Sequence, residues 1–249
     1  MDVKRVLRVM GRLVLALLLL AAAALAALAL LRWRGLILLP HEADPPQWEL
    51  FGVDVSSYQG EVDWAALAEQ GVDFAFLKAT EGSLLRDRQF AANWAGAAEA
   101  GVPAGAYHFL SYDSPGQTQA DNFIAAVPVT DGALPPVVDI ELYGEYLESP
   151  PEKEQVRAVL DPLLERLEEH YGVKPILYVT YRSYYRYLAG DYGDYPIWCS
   201  SPTVFPLVPG WDFWQYSHTG ELEGYHGSQR YIDLNIFRGS REDLLALCR

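Results

Sequence analysis

Residues 13–31 form an unbroken run of nineteen leucine, alanine and valine residues, and this run divides the chain into two parts that cannot share one solvent. As a helix it extends about 28 Å at 1.5 Å per residue, close to the roughly 30 Å hydrocarbon core of a bilayer. Lys4, Arg5, Arg8 and Arg12 precede it, and only Arg32 and Arg34 follow closely. The positive-inside bias therefore makes residues 1–12 a cytoplasmic basic N-terminus and residues 13–31 a transmembrane helix or signal anchor in the inner membrane. A cleaved signal peptide is the competing reading. Ala24-Leu25-Ala26 and Ala27-Leu28-Ala29 have the A-x-A form, but both lie inside the apolar run, which leads straight into arginines. Either reading exports the remainder to the periplasm or beyond. Residues 32–49 are expected to be a linker, stiffened near its end by Pro40, Pro45 and Pro46.

The first forty residues hold six basic side chains and one acidic one, so the rest carries 13 basic against 32 acidic side chains, a formal charge of −19. Such a balance excludes nucleic acid and anionic membrane surfaces as partners, because neither has a cationic stripe to hold it. Cys199 and Cys248 are the only cysteines. They could pair in an oxidising compartment, but two cysteines make no framework pattern.

From residue 50 onward, apolar strand-like runs alternate with stretches of helical period. Residues 50–55 lead to a helix near 62–70, residues 74–79 to one through 90–100, and residues 104–110 to one over 115–126. A fourth run, 137–141, precedes a long amphipathic helix over 152–170 that Gly172 stops. Further runs at 175–179, 197–199, 213–216 and 232–237 are separated by shorter helical stretches. The pattern predicts an α/β fold: an eight-stranded (β/α) barrel over residues 50–249, TIM-like, with regular helices mainly in the first half and loops late in the chain. An open doubly wound sheet is the alternative, and it lacks a glycine-rich phosphate fingerprint after the first strand.

The fourth run, Val137-Val138-Asp139-Ile140-Glu141, ends in two acids two residues apart. In a strand such positions project from one face, with Cα atoms roughly 6.5–7 Å apart, so both carboxyls share one small volume. Glycoside hydrolysis needs such a pair, one acid to protonate the leaving oxygen and one to stabilise or attack the developing oxocarbenium centre. Asp54 and Asp233 fall at or near the carboxyl ends of the first and eighth strands, which are neighbours in a closed barrel. Four acids at one mouth repel unless they share protons or face a polar ligand. Tyr107, Tyr178, Trp198 and Trp214 lie on the same class of strand ends, where flat faces with polar tips suit sugar rings.

These residues resemble the Chalaropsis-type muramidases, the glycoside hydrolase family 25 lysozymes. The likeness covers roughly residues 50–240. Gly52-Val53-Asp54-Val55-Ser56 with Tyr58-Gln59-Gly60 and Asp63-Trp64 looks like the family's opening strand and loop, and Phe76-Leu77-Lys78-Ala79-Thr80-Glu81-Gly82 its second strand. Gly105-Ala106-Tyr107-His108-Phe109 is similar to the third, Val138-Asp139-Ile140-Glu141 to the catalytic strand, Trp214-Gln215-Tyr216 to the seventh and Ile232-Asp233-Leu234-Asn235 to the last. The resemblance implies hydrolysis of the β-1,4 bond between N-acetylmuramic acid and N-acetylglucosamine in peptidoglycan glycan strands, without a cofactor. It implies Glu141 as general acid, Asp139 as transition-state stabiliser or orienter of the substrate's acetamido group, and Asp54 and Asp233 as their support. Tyr107, Tyr178, Trp198, Trp214 and Gln215 are then the expected substrate-binding residues, and a monomer is expected. Leu84-Leu85-Arg86-Asp87 departs from the more polar stretch common in the family, and Cys199 from a small apolar residue.

Plainer readings stand beside these. Asp54 could cap the turn after its strand. His108, between Tyr107 and Phe109, reads as a packing histidine, and the five histidines show no metal-ligand spacing. The Tyr181–Tyr187 stretch suits a glycan groove and a surface helix equally. The extended acid run of chitinase-like family 18 barrels is missing before Asp139, and there is no G-x-S-x-G elbow. A non-catalytic peptidoglycan-binding or scaffolding module at the cell envelope is the alternative function, against which the intact Asp139 and Glu141 argue.

Overall fold

The computed structural model describes residues 3–33, 50–203 and 205–248. The chain divides into two compact units, Met1–Pro40 and His41–Arg249. In the first, α1 (Val3–Trp33) is one continuous helix, and its stretch Met10–Leu30 is long and apolar enough to cross a membrane. The expected linker, residues 32–49, lies outside the described residues from position 34 onward.

The second unit is a closed barrel. Its strands are β1 (Leu50–Val55), β2 (Phe74–Glu81), β3 (Leu85–Arg86), β4 (Ala104–Phe109), β5 (Val137–Ile140), β6 (Ile176–Thr180), β7 (Ile197–Ser200), β8 (Phe213–Gly220) and β9 (Ile232–Phe237). The order β1-β9-β8-β7-β6-β5-β4-β2 is closed by pairing of β1 with β2, while β3 only pairs back on the end of β2. This is the expected eight-stranded barrel, with one difference. β9 runs antiparallel to both β8 and β1, whereas the other closing pairs are parallel. Residues 221–231 join β8 to β9 without a helix, and an antiparallel neighbour needs no crossover. Asp233 therefore sits at the amino end of its strand, not the carboxyl end, and reaches the same mouth as Asp54, its cross-strand partner.

Helices α2 (Trp64–Glu69), α3 (Phe90–Glu99), α4 (Gly116–Ile124) and α5 (Lys153–Tyr171) fill the early connections. A short α6 (Tyr181–Ser183) runs into a π-turn over Tyr184–Leu188, and α7 (Arg241–Leu247) follows the barrel. α5 begins with a reciprocal Glu152–Gln155 capping box and ends at Gly172, whose φ of 69° a residue with a Cβ adopts only with strain.

Strand alternation sorts the core into two layers. Leu50, Phe74, Phe76, Val137, Ile176, Trp198, Phe213 and Phe237 point into the barrel. Val53, Ala75, Leu77, Val138, Ile140, Leu177, Val179 and Trp214 belong to the outer layer with the helices. Inside, the Phe76 ring stacks on Trp198 at 4.3 Å and meets Phe213 edge-on at 5.1 Å. Gly52 makes room for this plug, because a Cβ there would lie 2.5 Å from the Phe74 ring. Each buried aromatic contributes roughly 2–3 kcal/mol, and together they form the floor on which the polar inward positions stand.

Candidate active site

One step above the aromatic plug, the inward positions carry Asp54 on β1, Tyr107 on β4, Asp139 on β5, Tyr178 on β6, Gln215 on β8 and Asp233 on β9, and all six line one cleft. Glu141, just beyond β5 on the same side as Asp139, lines it too, as do Lys78, Phe109 and Trp198. The cleft has a cavity volume of about 240 Å³ and opens to solvent at the barrel mouth.

Burial dominates the electrostatics. It pushes the Glu141 carboxyl up to about 7, against the opposing pull of the Lys78 ammonium and with a smaller push from Asp54. Asp139 is raised well above the carboxylate range, first by burial and then by the charge of Glu141, and Lys78 again opposes. Its Oδ1 is buried with no hydrogen-bond partner among the described residues. Asp54 is raised to about 6 by burial, restrained by donors on its Oδ2: Asn235 Nδ2 and Gln215 Nε2, each at 2.8 Å. Asp233 is raised to about 8 by burial, then by the charge of Asp54 and a hydrogen bond with it. The mouth thus combines acids that hold protons near neutrality with one that accepts three hydrogen bonds, the division of labour that acid–base chemistry requires.

The aromatic residues divide. Tyr178 donates from Oη to Gln215 Oε1 at 2.8 Å, and Trp198 donates from Nε1 to Asn235 Oδ1 at 2.8 Å from a nearly sealed position on the floor. Trp214 is not in the cleft. Its neighbours Phe213 and Gln215 take the inner face of β8, so Trp214 points outward, packs on Trp211 and Tyr216 and donates from Nε1 to Ser201 O at 2.9 Å. His108 is fully buried between Thr80 Oγ1 at 2.7 Å and Gln119 Oε1 at 3.0 Å, and burial lowers it to about 4. Cys199 and Cys248 are both free thiols. Among the described residues no group of three or more His, Cys, Asp or Glu is placed to hold a metal ion.

Lys78 in the cleft and Asn235 buried behind it carried no role in the sequence pattern. Lys78 is the one cation among the described residues lining the cleft; its Nζ lies 2.7 Å from Glu81 Oε2 and 5.0 Å from the centre of the Phe109 ring. Asn235 is fully buried and bridges Asp54 to Trp198. Both were reachable by parity, since Lys78 lies two residues beyond Phe76 and Asn235 two beyond Asp233.

A closed mixed barrel whose mouth collects four carboxyls with raised pKa values around one amine has the make-up of a carboxylate-dependent hydrolase. The family model described as glycosyl hydrolases family 25 matches residues 53–225, and this chain belongs to that family. It is 44% identical to a family 25 glycosyl hydrolase of known structure from Bacillus anthracis, covering 84% of this chain and 97% of that one with a TM-score of 0.78. Lysozyme M1 of Streptomyces globisporus is 34% identical over 79% of this chain and 70% of its own length. The N,O-diacetylmuramidase of Chalaropsis sp is 28% identical over 74% of this chain and 94% of its own. The protein is a glycoside hydrolase.

Proposed function

We propose that this protein is a muramidase that hydrolyses the β-1,4 bond between N-acetylmuramic acid and N-acetylglucosamine in peptidoglycan and is held beside the wall by α1. The carrying observation is Glu141, a cleft carboxyl whose pKa lies near 7 because burial outweighs the pull of Lys78. A general acid works best when it is protonated yet ready to give up its proton at the working pH. Glu141 protonates the leaving oxygen. Asp139 turns its unpartnered Oδ1 to the substrate's acetamido N–H and stabilises the positive charge that develops as the bond breaks. Asp54 and Asp233 set the charge of the cleft, and Tyr107, Tyr178, Trp198 and Gln215 shape the sugar site.

The membrane placement rests on composition. Met10–Leu30 has a mean hydropathy of 2.9, and the excess of Lys and Arg before it keeps the N-terminus inside. A single-pass protein with its catalytic domain outside the inner membrane follows, acting on the wall of its own cell.

The test is mass spectrometry of borohydride-reduced fragments released from purified sacculi by the full chain in detergent, with Glu141→Gln as control. Reduced muramic acid ends that vanish in the variant are expected. Glucosamine ends would replace the assignment with a glucosaminidase, and sacculus binding without release would replace it with a binding module.

A further inference from the structure

β8 carries one more residue than its partner where it enters the mouth: Gln215 pairs with Asn235, and Ser217 pairs with Leu234. In a regular strand, residues 215 and 218 are three apart and point to opposite faces. The extra residue is a β-bulge, which reverses that parity and re-aims the side chain beyond it. His218 Nε2 thereby comes to 2.9 Å from Gln215 Oε1. The same oxygen accepts Tyr178 Oη at 2.8 Å, while the nitrogen of the same amide lies 2.8 Å from Asp54 Oδ2 and 3.4 Å from Asp233 Oδ2.

A primary amide has one accepting and one donating end. With two carboxyls on one side, the nitrogen must face them and the oxygen must be met by donors. Tyr178 is one donor. A neutral histidine is a second only as its Nε2–H tautomer, because the other tautomer would turn a lone pair on the amide oxygen. Ser200 closes the group, with Oγ 3.3 Å from His218 Nε2 and a hydrogen bond to the Tyr178 hydroxyl. The titratable groups around Gln215 are thus Asp54 from β1, Tyr178 from β6, His218 from β8 and Asp233 from β9, with Asp139 and Glu141 of the β5 end across the cleft.

We propose that His218 is a positioning residue for the Asp54–Asp233 pair: delivered by the β8 bulge as its Nε2–H tautomer, it donates to Gln215 Oε1 and so locks the amide with its nitrogen on the two carboxyls. If that lock is lost, Gln215 can turn its oxygen toward the acids, removing a donor that lowers the Asp54 pKa. His218 itself is exposed, so replacing it leaves the core packing in place.

The kinetic arm rests on the muramidase reading, and the spectroscopic arms do not. Long-range proton–nitrogen NMR of the full chain in detergent micelles at pH 7.5 should show His218 protonated at Nε2, and protonation at Nδ1 alone would overturn the inference. In His218→Ala, the carbon-13 titrations of Asp54 and Asp233 should move to higher pH. Its kcat on sacculi should fall roughly fivefold to twentyfold, the size of one lost hydrogen bond to a charged network, with KM within about twofold. His218→Gln, which restores an N–H donor, should recover most of the loss. Wild-type kcat and unmoved carboxyl titrations in His218→Ala would reject the role. Moved titrations in a protein that releases no muropeptides would leave the lock standing and reject the muramidase reading.

Discussion

Asp54 and Asp233 face each other directly across the antiparallel β1–β9 pair and are joined by a hydrogen bond between their carboxyl groups. Two carboxyls bond in this way only when one keeps its proton. Asn235 and Gln215 both donate to Asp54 at 2.8 Å, while Gln215 stands 3.4 Å from Asp233. The charge therefore settles on Asp54 and the proton on Asp233, consistent with values of about 6 and about 8.

The two acids should respond unequally to amide substitution. Asp233→Asn replaces a protonated carboxyl with a neutral donor of the same shape, and its kcat should fall only about tenfold or less, while Asp54→Asn turns an acceptor of several hydrogen bonds into a partial donor and should cost about a hundredfold or more. Muropeptide release by the two variants at pH 6.5 decides the matter. Equal losses would place the proton elsewhere.

Stability should fall as pH rises. Asp54, Glu141 and Asp233 have folded-state values of about 6, 7 and 8, above the 3.8–4.5 of free carboxyls. Between roughly pH 4 and 8 the folded state then binds more protons than the unfolded state, and the contribution, complete below the unfolded pKa, is lost as pH climbs through the folded ones. The loss should reach about 2 kcal/mol or more, read as a Tm of the barrel unit roughly 4–8 °C lower at pH 8.5 than at pH 5. Glu141→Gln should flatten part of that slope. Activity should fall on the same side, because the acid that protonates the leaving group titrates near 7.

Parity along the strands explains what was legible in the sequence. Asp139 and Glu141 could be placed together because an i,i+2 pair at a strand end shares a face whatever the neighbours are. The direction of β9 was not legible, since a six-residue run with no helix before it reads alike both ways, and with it went the end of the strand on which Asp233 lies. Trp214 looked like a sugar platform from its ring alone; only the commitment of Phe213 to the barrel interior sends it outward. His218 escapes parity altogether, because its position depends on a bulge that nothing in Tyr216-Ser217-His218 announces.

Lys78→Met should shift the pH–rate profile rather than abolish activity. The ammonium lowers the pKa of both Glu141 and Asp139. Without it both rise, so Glu141 stays protonated to higher pH and the falling limb moves alkaline, by about one pH unit or less for a single partly solvated charge. The maximum rate should drop several-fold as Asp139 becomes harder to ionise. A profile with an unmoved alkaline limb would remove Glu141 as the group responsible for it.

Gly116→Ala should separate stability from catalysis. Gly116 opens α4 against α5, and a Cβ there would sit 1.9 Å from Val159 O and 3.0 Å from Leu163 N. Backbone cannot move aside as a side chain can, so the helices must part, at a cost of about 1–3 kcal/mol. The Tm should drop about 2–12 °C, while kcat at 20 °C stays within about twofold because Gly116 does not line the cleft. An unchanged Tm would mean that the α4–α5 contact is looser than its geometry.

The loop bearing Glu141 is fastened through Tyr112, whose Oη donates to the Glu141 carbonyl at 2.9 Å. Its ring stacks on Tyr143 with centres 5.5 Å apart and planes 4° from parallel, and its backbone N–H donates to Tyr143 Oη at 3.1 Å. Burial raises the Tyr112 hydroxyl above its ordinary pKa, so it stays a donor throughout the working range. Tyr112→Phe keeps the ring and its stack and deletes only this donor. The cost to stability should be about 1 kcal/mol, a fall in Tm of about 2–4 °C. If the bond also holds the acid in line with the leaving oxygen, kcat should fall about threefold to tenfold with KM unchanged, since the interaction matters most when the proton moves. Tyr143→Phe, which keeps the stack and removes the acceptor for the Tyr112 N–H, should show a smaller kcat effect. A lowered Tm with wild-type kcat in Tyr112→Phe would make the clamp a support of the fold alone, and the aim of Glu141 would then come from β5.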